Sequence, residues 1–121
     1  AVHALIVDDS RTNVEILEIL LAQNGIANIA LIHAALDAAP QINLVFLDLG
    51  FPNDDGFEIF TALRADPRLK NAPIVAYTVH QSEIERVRRM GFDGFLGKPL
   101  NMKRFGEQLQ RILRGEPVWE I

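Results

Sequence analysis

The feature that most constrains the fold is an alternation. Short apolar runs at 4–7 (ALIV), 44–47 (LVFL), 73–77 (PIVAY) and 94–97 (GFLG) are separated by stretches whose apolar residues recur at helical spacing. None of these runs alternates apolar with polar residues, as expected of strands covered on both sheet faces. A fifth run, 26–32 (IANIALI), is weaker. Between 13 and 24, Val14, Leu17, Leu20 and Leu21 share one helical face, and Gly25 follows as a stop. Residues 56–66 carry Phe57, Phe60 and Leu63 on a stripe that ends before Pro67. Ser82 stands three residues before Glu85 in a capping-box pattern, and Gly91 closes that segment. From Asn101, the residues Met102, Phe105, Leu109, Ile112 and Leu113 predict a last helix stopping at Gly115, weakened locally by Gly106. Residues 33–43 leave room for only a short second helix. Strand and helix thus alternate five times, which predicts βαβ units, a parallel sheet and helices on both of its faces.

A chain of 121 residues is expected to form a single domain, with a core over about 3–114 and a C-terminal tail over 115–121. No apolar run approaches the roughly 20 residues that cross a bilayer, so no membrane role is expected. The absence of cysteine excludes disulfides and thiolate metal sites and fits a reducing compartment, so a cytoplasmic location is expected. A net charge of −4 argues against direct nucleic-acid binding by this domain. That charge is uneven: residues 1–80 hold 4 basic and 10 acidic side chains, residues 81–121 hold 8 and 6. The two halves of the surface are expected to carry different fields.

The polar residues that follow the apolar runs carry the functional signal. In an open parallel sheet, ligands bind outside the carboxyl ends of the strands. Asp8 and Asp9 follow the first run, Asp48 the third, Thr78 the fourth and Lys98 the fifth. Three carboxylates at one edge cannot all remain ionised cheaply without a cation. An oxygen-only set without His or Cys suits Mg²⁺. Lys98 can hold a phosphate oxygen and Thr78 can donate to another. Such a set serves phosphoryl transfer, with one carboxylate as a nucleophile forming an aspartyl-phosphate. Each residue also has a plainer use: Asp8 or Asp9 can cap the helix that follows, as can Ser10, Thr12 or Asn13.

The segments LIVDDS (5–10), VFLDLGFPNDDG (45–56), PIVAYT (73–78) and GFLGKPL (94–100) resemble, in order, four blocks of the receiver domain of two-component response regulators. The resemblance covers residues 3–114. It implies a flavodoxin-like (CheY-like) three-layer α/β sandwich, with a five-stranded parallel sheet of order 2-1-3-4-5 and five helices. It also implies that Asp48 is the phosphoacceptor and that Asp8 and Asp9 organise Mg²⁺, with the backbone carbonyl of Gly50 as a further ligand. Thr78 would be the hydroxyl that moves onto the phosphoryl group, Lys98 its ion-pairing partner, and Phe95 the aromatic switch residue. Pro52 and Gly56 match the proline and glycine of the loop after the acceptor. Departures fall at Val79, where the family usually has a small residue and where access to the site would narrow, and at Gly50 and His80. Those last two hold the positions that tune hydrolysis of the acyl phosphate; Gly50 offers no side chain there, while His80 can shield or orient water. Phe95 lacks a tyrosine hydroxyl, so a switch there works by packing.

The expected function is a phosphorylation-gated binding module, phosphorylated by a histidine kinase or a histidine phosphotransfer protein. It would present a switched surface of fourth helix, fifth strand and fifth helix to a downstream protein target, with Arg86, Arg88, Arg89, Lys103 and Arg104 giving that surface a positive field. The chain is not expected to be an enzyme beyond catalysing its own phosphorylation and autodephosphorylation. One alternative is an atypical, non-phosphorylated receiver acting as an interaction module. Another is a Mg²⁺-dependent aspartyl-phosphate phosphatase, but the general acid such enzymes carry two residues after the nucleophile would here be Gly50. A nucleotide-binding module fits less well, because DDSRTN (8–13) contains no glycine-rich loop. No output domain follows Gly115, so the chain is either a complete regulator or a receiver cut from a longer protein. Trp119 and Ile121 are expected to pack back on the domain.

Overall fold

Successive side chains of the first strand enter two different cores. The computed structural model describes residues 3–8, 10–31, 42–49, 56–69, 71–79, 81–98 and 100–120. Its strands are β1 (His3–Val7), β2 (Ala27–Leu31), β3 (Leu44–Leu47), β4 (Ile74–Thr78), β5 (Gly94–Gly97) and β6 (Val118–Glu120). Ala4 and Ile6 join one apolar cluster and Leu5 the other, because the pleat sends neighbours to opposite faces. The same split recurs at Leu44 and Phe46 against Val45 and Leu47, and at Val75 and Tyr77 against Ile74 and Ala76. Two buried faces need apolar side chains at every position, which is why these runs do not alternate.

All strands lie parallel in one sheet of order β2-β1-β3-β4-β5-β6. The expected order 2-1-3-4-5 is present, and β6 extends it. The sequence predicts residues 118–120 as tail, with Trp119 packed back on the domain, and the structure makes them a strand. The strand has three residues, of which Val118 alone is buried, so no apolar run announces it.

Helices α1 (Arg11–Gln23) and α4 (Phe105–Leu113) cover one face, through Val14, Leu17, Leu20 and Leu21 and through Phe105, Leu109 and Ile112. Helices α2 (Gly56–Ala65) and α3 (Ile84–Met90) cover the other, where Phe60 and Val87 meet Leu5, Val45, Leu47 and Phe95. The expected second helix falls mostly on residues 32–41, outside the described residues. The expected fourth and fifth helices are α3 and α4, and both begin later than the pattern suggests. Ser82 lies in a 3-10 turn (Gln81–Glu83) before α3, so the capping box is not formed there. Before α4, the Asn101 side-chain oxygen accepts from the Lys103 and Arg104 amides, a local turn that competes with helix, and Met102 is exposed. Ser10 caps α1 by accepting from the Asn13 amide. Gly106 sits where α4 crosses the end of α1: a Cβ there would lie 3.2 Å from Asn24 Oδ1. No helix among the described residues is long and apolar enough to cross a membrane.

Candidate functional site

Parallel register brings the polar residues together at the strand ends. Val7 pairs with Leu47, so Asp8 and Asp48, the next residues along, become neighbours; the Asp48 amide donates to the Val7 carbonyl at 3.0 Å. Thr78 pairs with Gly97, and the Lys98 amide donates to the Thr78 carbonyl at 3.0 Å. Lys98 then reaches back across the ends of β4 and β3. Its Nζ lies 3.2 Å from Asp8 Oδ2 and 3.2 Å from Asp48 Oδ1.

The two carboxylates are held differently. Asp8 is fully buried. An isolated buried carboxylate is costly, and three donors compensate this one. The Ser10 amide donates to Oδ1 at 2.8 Å, while the Tyr77 hydroxyl, at 2.7 Å, and Lys98 both donate to Oδ2. Asp48 keeps 6% of its surface exposed. Lys98 is itself nearly buried and lies 4.4 Å from the centroid of the Tyr77 ring, in cation–π range.

Tyr77 was not singled out from the sequence. The pleat holds the clue: it shares the α1/α4 face with Ile6 and Phe46, whose next same-face positions are Asp8 and Asp48. A tyrosine buried at a strand end needs a partner for its hydroxyl, and a carboxylate one strand position beyond the core supplies it. The ring packs edge-on against Phe46, with centroids 6.1 Å apart.

Of the other expected site residues, Thr78 is fully buried at the end of β4 and Phe95 is fully buried in the α2/α3-side core. Val79 is 62% exposed, so its side chain does not fill the core beneath the site. Asp9, Gly50 and His80 lie outside the described residues. The structure thus brings Asp8, Asp48 and Lys98 into one ion-paired group, with Thr78 on the strand between Asp48 and Lys98. Two carboxylates against one ammonium leave this trio a net negative charge, and its acidic donors are all oxygen. Such a set suits a hard divalent cation that retains water. Among the described residues no group of three or more His, Cys, Asp or Glu side chains gathers into a fuller cage.

Comparisons with known proteins bear on the fold and the family. The model of the response regulator receiver domain matches residues 4–110. The polar-differentiation response regulator DivK of Brucella anthropi is 28% identical over 115 residues, covering 90% of this chain and 94% of that protein. Among solved structures, the chemotaxis protein CheY4 of Vibrio cholerae superposes with a TM-score of 0.80 at 26% identity, over 92% of this chain and 98% of that one. The receiver domain of the sensor histidine kinase PA1611 from Pseudomonas aeruginosa, solved with a magnesium ion coordinated in its active-site cleft, shares the fold with a TM-score of 0.76 at 22% identity, over 94% and 98% of the two chains. The chain belongs to the response regulator receiver domain family.

Proposed function

We propose that this receiver accepts a phosphoryl group on Asp48. The observation that carries the reading is the asymmetry between the two carboxylates that share Lys98. Asp8 is sealed and its oxygens receive three donors, whereas Asp48 retains 6% of its exposure. In the reaction an Asp48 carboxylate oxygen attacks the phosphorus of a phosphohistidine on a histidine kinase or histidine phosphotransfer protein. The phosphorus–nitrogen bond breaks, its electron pair stays with the imidazole, and that nitrogen takes up a proton. Lys98 is placed to neutralise charge on the new acyl phosphate, and Thr78 to donate a hydrogen bond to it. Asp8, Asp9, Asp48 and the Gly50 carbonyl would hold Mg²⁺, which supplies charge neutralisation to the phosphoryl oxygens when bound.

The chain turns over no external substrate in this reading and catalyses only its own phosphorylation and autodephosphorylation, in the cytoplasm. Gly50, Val79 and His80 set how water reaches the acyl phosphate. Phosphorylation draws Thr78 toward the phosphoryl group, Phe95 repacks, and a downstream protein reads the surface of α3, β5 and α4.

The test is phosphoryl uptake from acetyl phosphate with Mg²⁺, followed by intact mass. Wild type is expected to gain one phosphoryl group and Asp48→Asn none; undiminished uptake by that variant refutes the acceptor assignment.

A further inference from the structure

One side chain touches both members of the ion pair at the strand ends. The Tyr77 hydroxyl donates to Asp8 Oδ2 at 2.7 Å, and its ring centroid lies 4.4 Å from Lys98 Nζ. Tyr77 is 1% exposed and its ring packs edge-on against Phe46, so the core holds the hydroxyl at this spot. It is also the only tyrosine in the chain.

Counting donors shows what that hydroxyl contributes. An ionised carboxylate offers about four lone-pair sites. Asp8 Oδ1 accepts from the Ser10 amide at 2.8 Å, and Oδ2 accepts from Tyr77 and, at 3.2 Å, from Lys98. The same ammonium lies 3.2 Å from Asp48 Oδ1. Two carboxylates thus share Lys98 at equal distance, although Asp8 has no exposed surface and Asp48 has some. A fully buried carboxylate claims a nearby cation for itself, because water does not solvate it. The Tyr77 hydroxyl gives Oδ2 a second donor that carries no net charge. It lowers the demand of Asp8 on Lys98 without adding positive charge that would repel a divalent cation. The ring face holds the ammonium from a third side. A fixed donor also aims the carboxylate it contacts, and such partners of metal-binding groups are worth about 10–100-fold in metal affinity.

We propose that Tyr77 is a positioning residue of the acidic site: its hydroxyl keeps Lys98 shared between Asp8 and Asp48 and aims Asp8 for a divalent cation. The cation part rests on the Mg²⁺ reading above. Without the hydroxyl, Oδ2 keeps Lys98 as its one donor among the described residues. Lys98 then moves toward Asp8 and away from Asp48, and competes there with the cation. Both effects weaken cation binding, and the second also takes positive charge away from Asp48.

The test is a Mg²⁺ titration of the full, unphosphorylated chain, read through the backbone amide NMR signals of Asp8 and Asp48. Tyr77→Phe is expected to weaken Mg²⁺ binding about tenfold or more and to shift the Lys98 side-chain nitrogen signal before any Mg²⁺ is added. An unchanged affinity, or an unchanged Lys98 signal, overturns the assignment. Ile112→Val thins the same core cluster beside Pro73 and Asp93, at the opposite end of the sheet, and controls for lost stability. Its affinity is expected to match wild type; equal weakening in both variants makes the Tyr77 hydroxyl merely structural and overturns the proposal. Where Tyr77→Phe does not fold, wild type decides. Tyr77 Cζ, which senses the hydroxyl's hydrogen bond, gives a single tyrosine signal expected to shift with the same midpoint as the Asp8 amide. A silent Cζ beside a shifting Asp8 amide overturns the proposal. Wild type that binds no Mg²⁺ overturns the Mg²⁺ reading and this inference together, whereas wild-type binding that Tyr77→Phe leaves intact overturns this inference alone. Acetyl phosphate uptake by wild type, measured in parallel, keeps the phosphoacceptor reading of Asp48 separate from both.

Discussion

Asp8 and Asp48 end neighbouring strands, face the same ammonium group at 3.2 Å, and yet differ in burial. Asp8 is fully enclosed and receives three donors. Asp48 keeps 6% of its surface exposed. Among these donors the Tyr77 hydroxyl joins a core aromatic to the acidic site. Tyr77→Phe keeps the ring and deletes one hydrogen bond to a buried charge. It is expected to lower stability by about 1.5–3 kcal/mol, the range for a hydrogen bond to an ionised group. The check is the urea midpoint at unchanged slope, and a loss well below 0.5 kcal/mol would show that Lys98 and Ser10 satisfy Asp8 alone.

At the level of elements, the contact between α1 and α4 shows why a residue poor in helix propensity sits inside a helix. Gly106 costs about 1 kcal/mol relative to alanine in a helix interior. The Asn24 side chain facing it is pinned, its Nδ2 donating to the Leu20 carbonyl at 2.8 Å. A methyl group at 106 would press on Asn24 Oδ1 at 3.2 Å, so Gly106→Ala is expected to gain less than its propensity, with no net stabilisation. In an Asn24→Ala background the same change is expected to recover most of about 1 kcal/mol. A double-mutant cycle by chemical denaturation measures the difference, and additive effects would deny the steric coupling. The last strand follows a similar logic, since Gly94 is small where β6 needs to come close.

Across the whole molecule, the acidic edge predicts linkage between cation binding and folding. If Asp8 and Asp48 help hold Mg²⁺ in the native state, the ion at about 100 times its dissociation constant adds about 2.7 kcal/mol of stability. Thermal unfolding with increasing Mg²⁺ is expected to show this increment in wild type and to lose it in Asp8→Asn/Asp48→Asn; an equal increment in both would place the ion elsewhere. Much of this architecture was legible from the chain alone. Apolar runs without alternation identify strands buried on both faces, and the carboxylates and lysine that follow them mark one edge, because side-chain period and strand direction are local properties. What the sequence by itself determined is therefore the first five strands, the apolar faces of the four described helices and the residue types at the strand ends. Three things needed the folded molecule: the Tyr77–Asp8 hydrogen bond, the different fates of Asp8 and Asp48, and the seating of Val118–Glu120 on β5. Each depends on which residues 40 or more positions apart, or in the last case about two dozen, come into register. Pairing across that distance is set by the packing of the whole sheet, and no local periodicity encodes it.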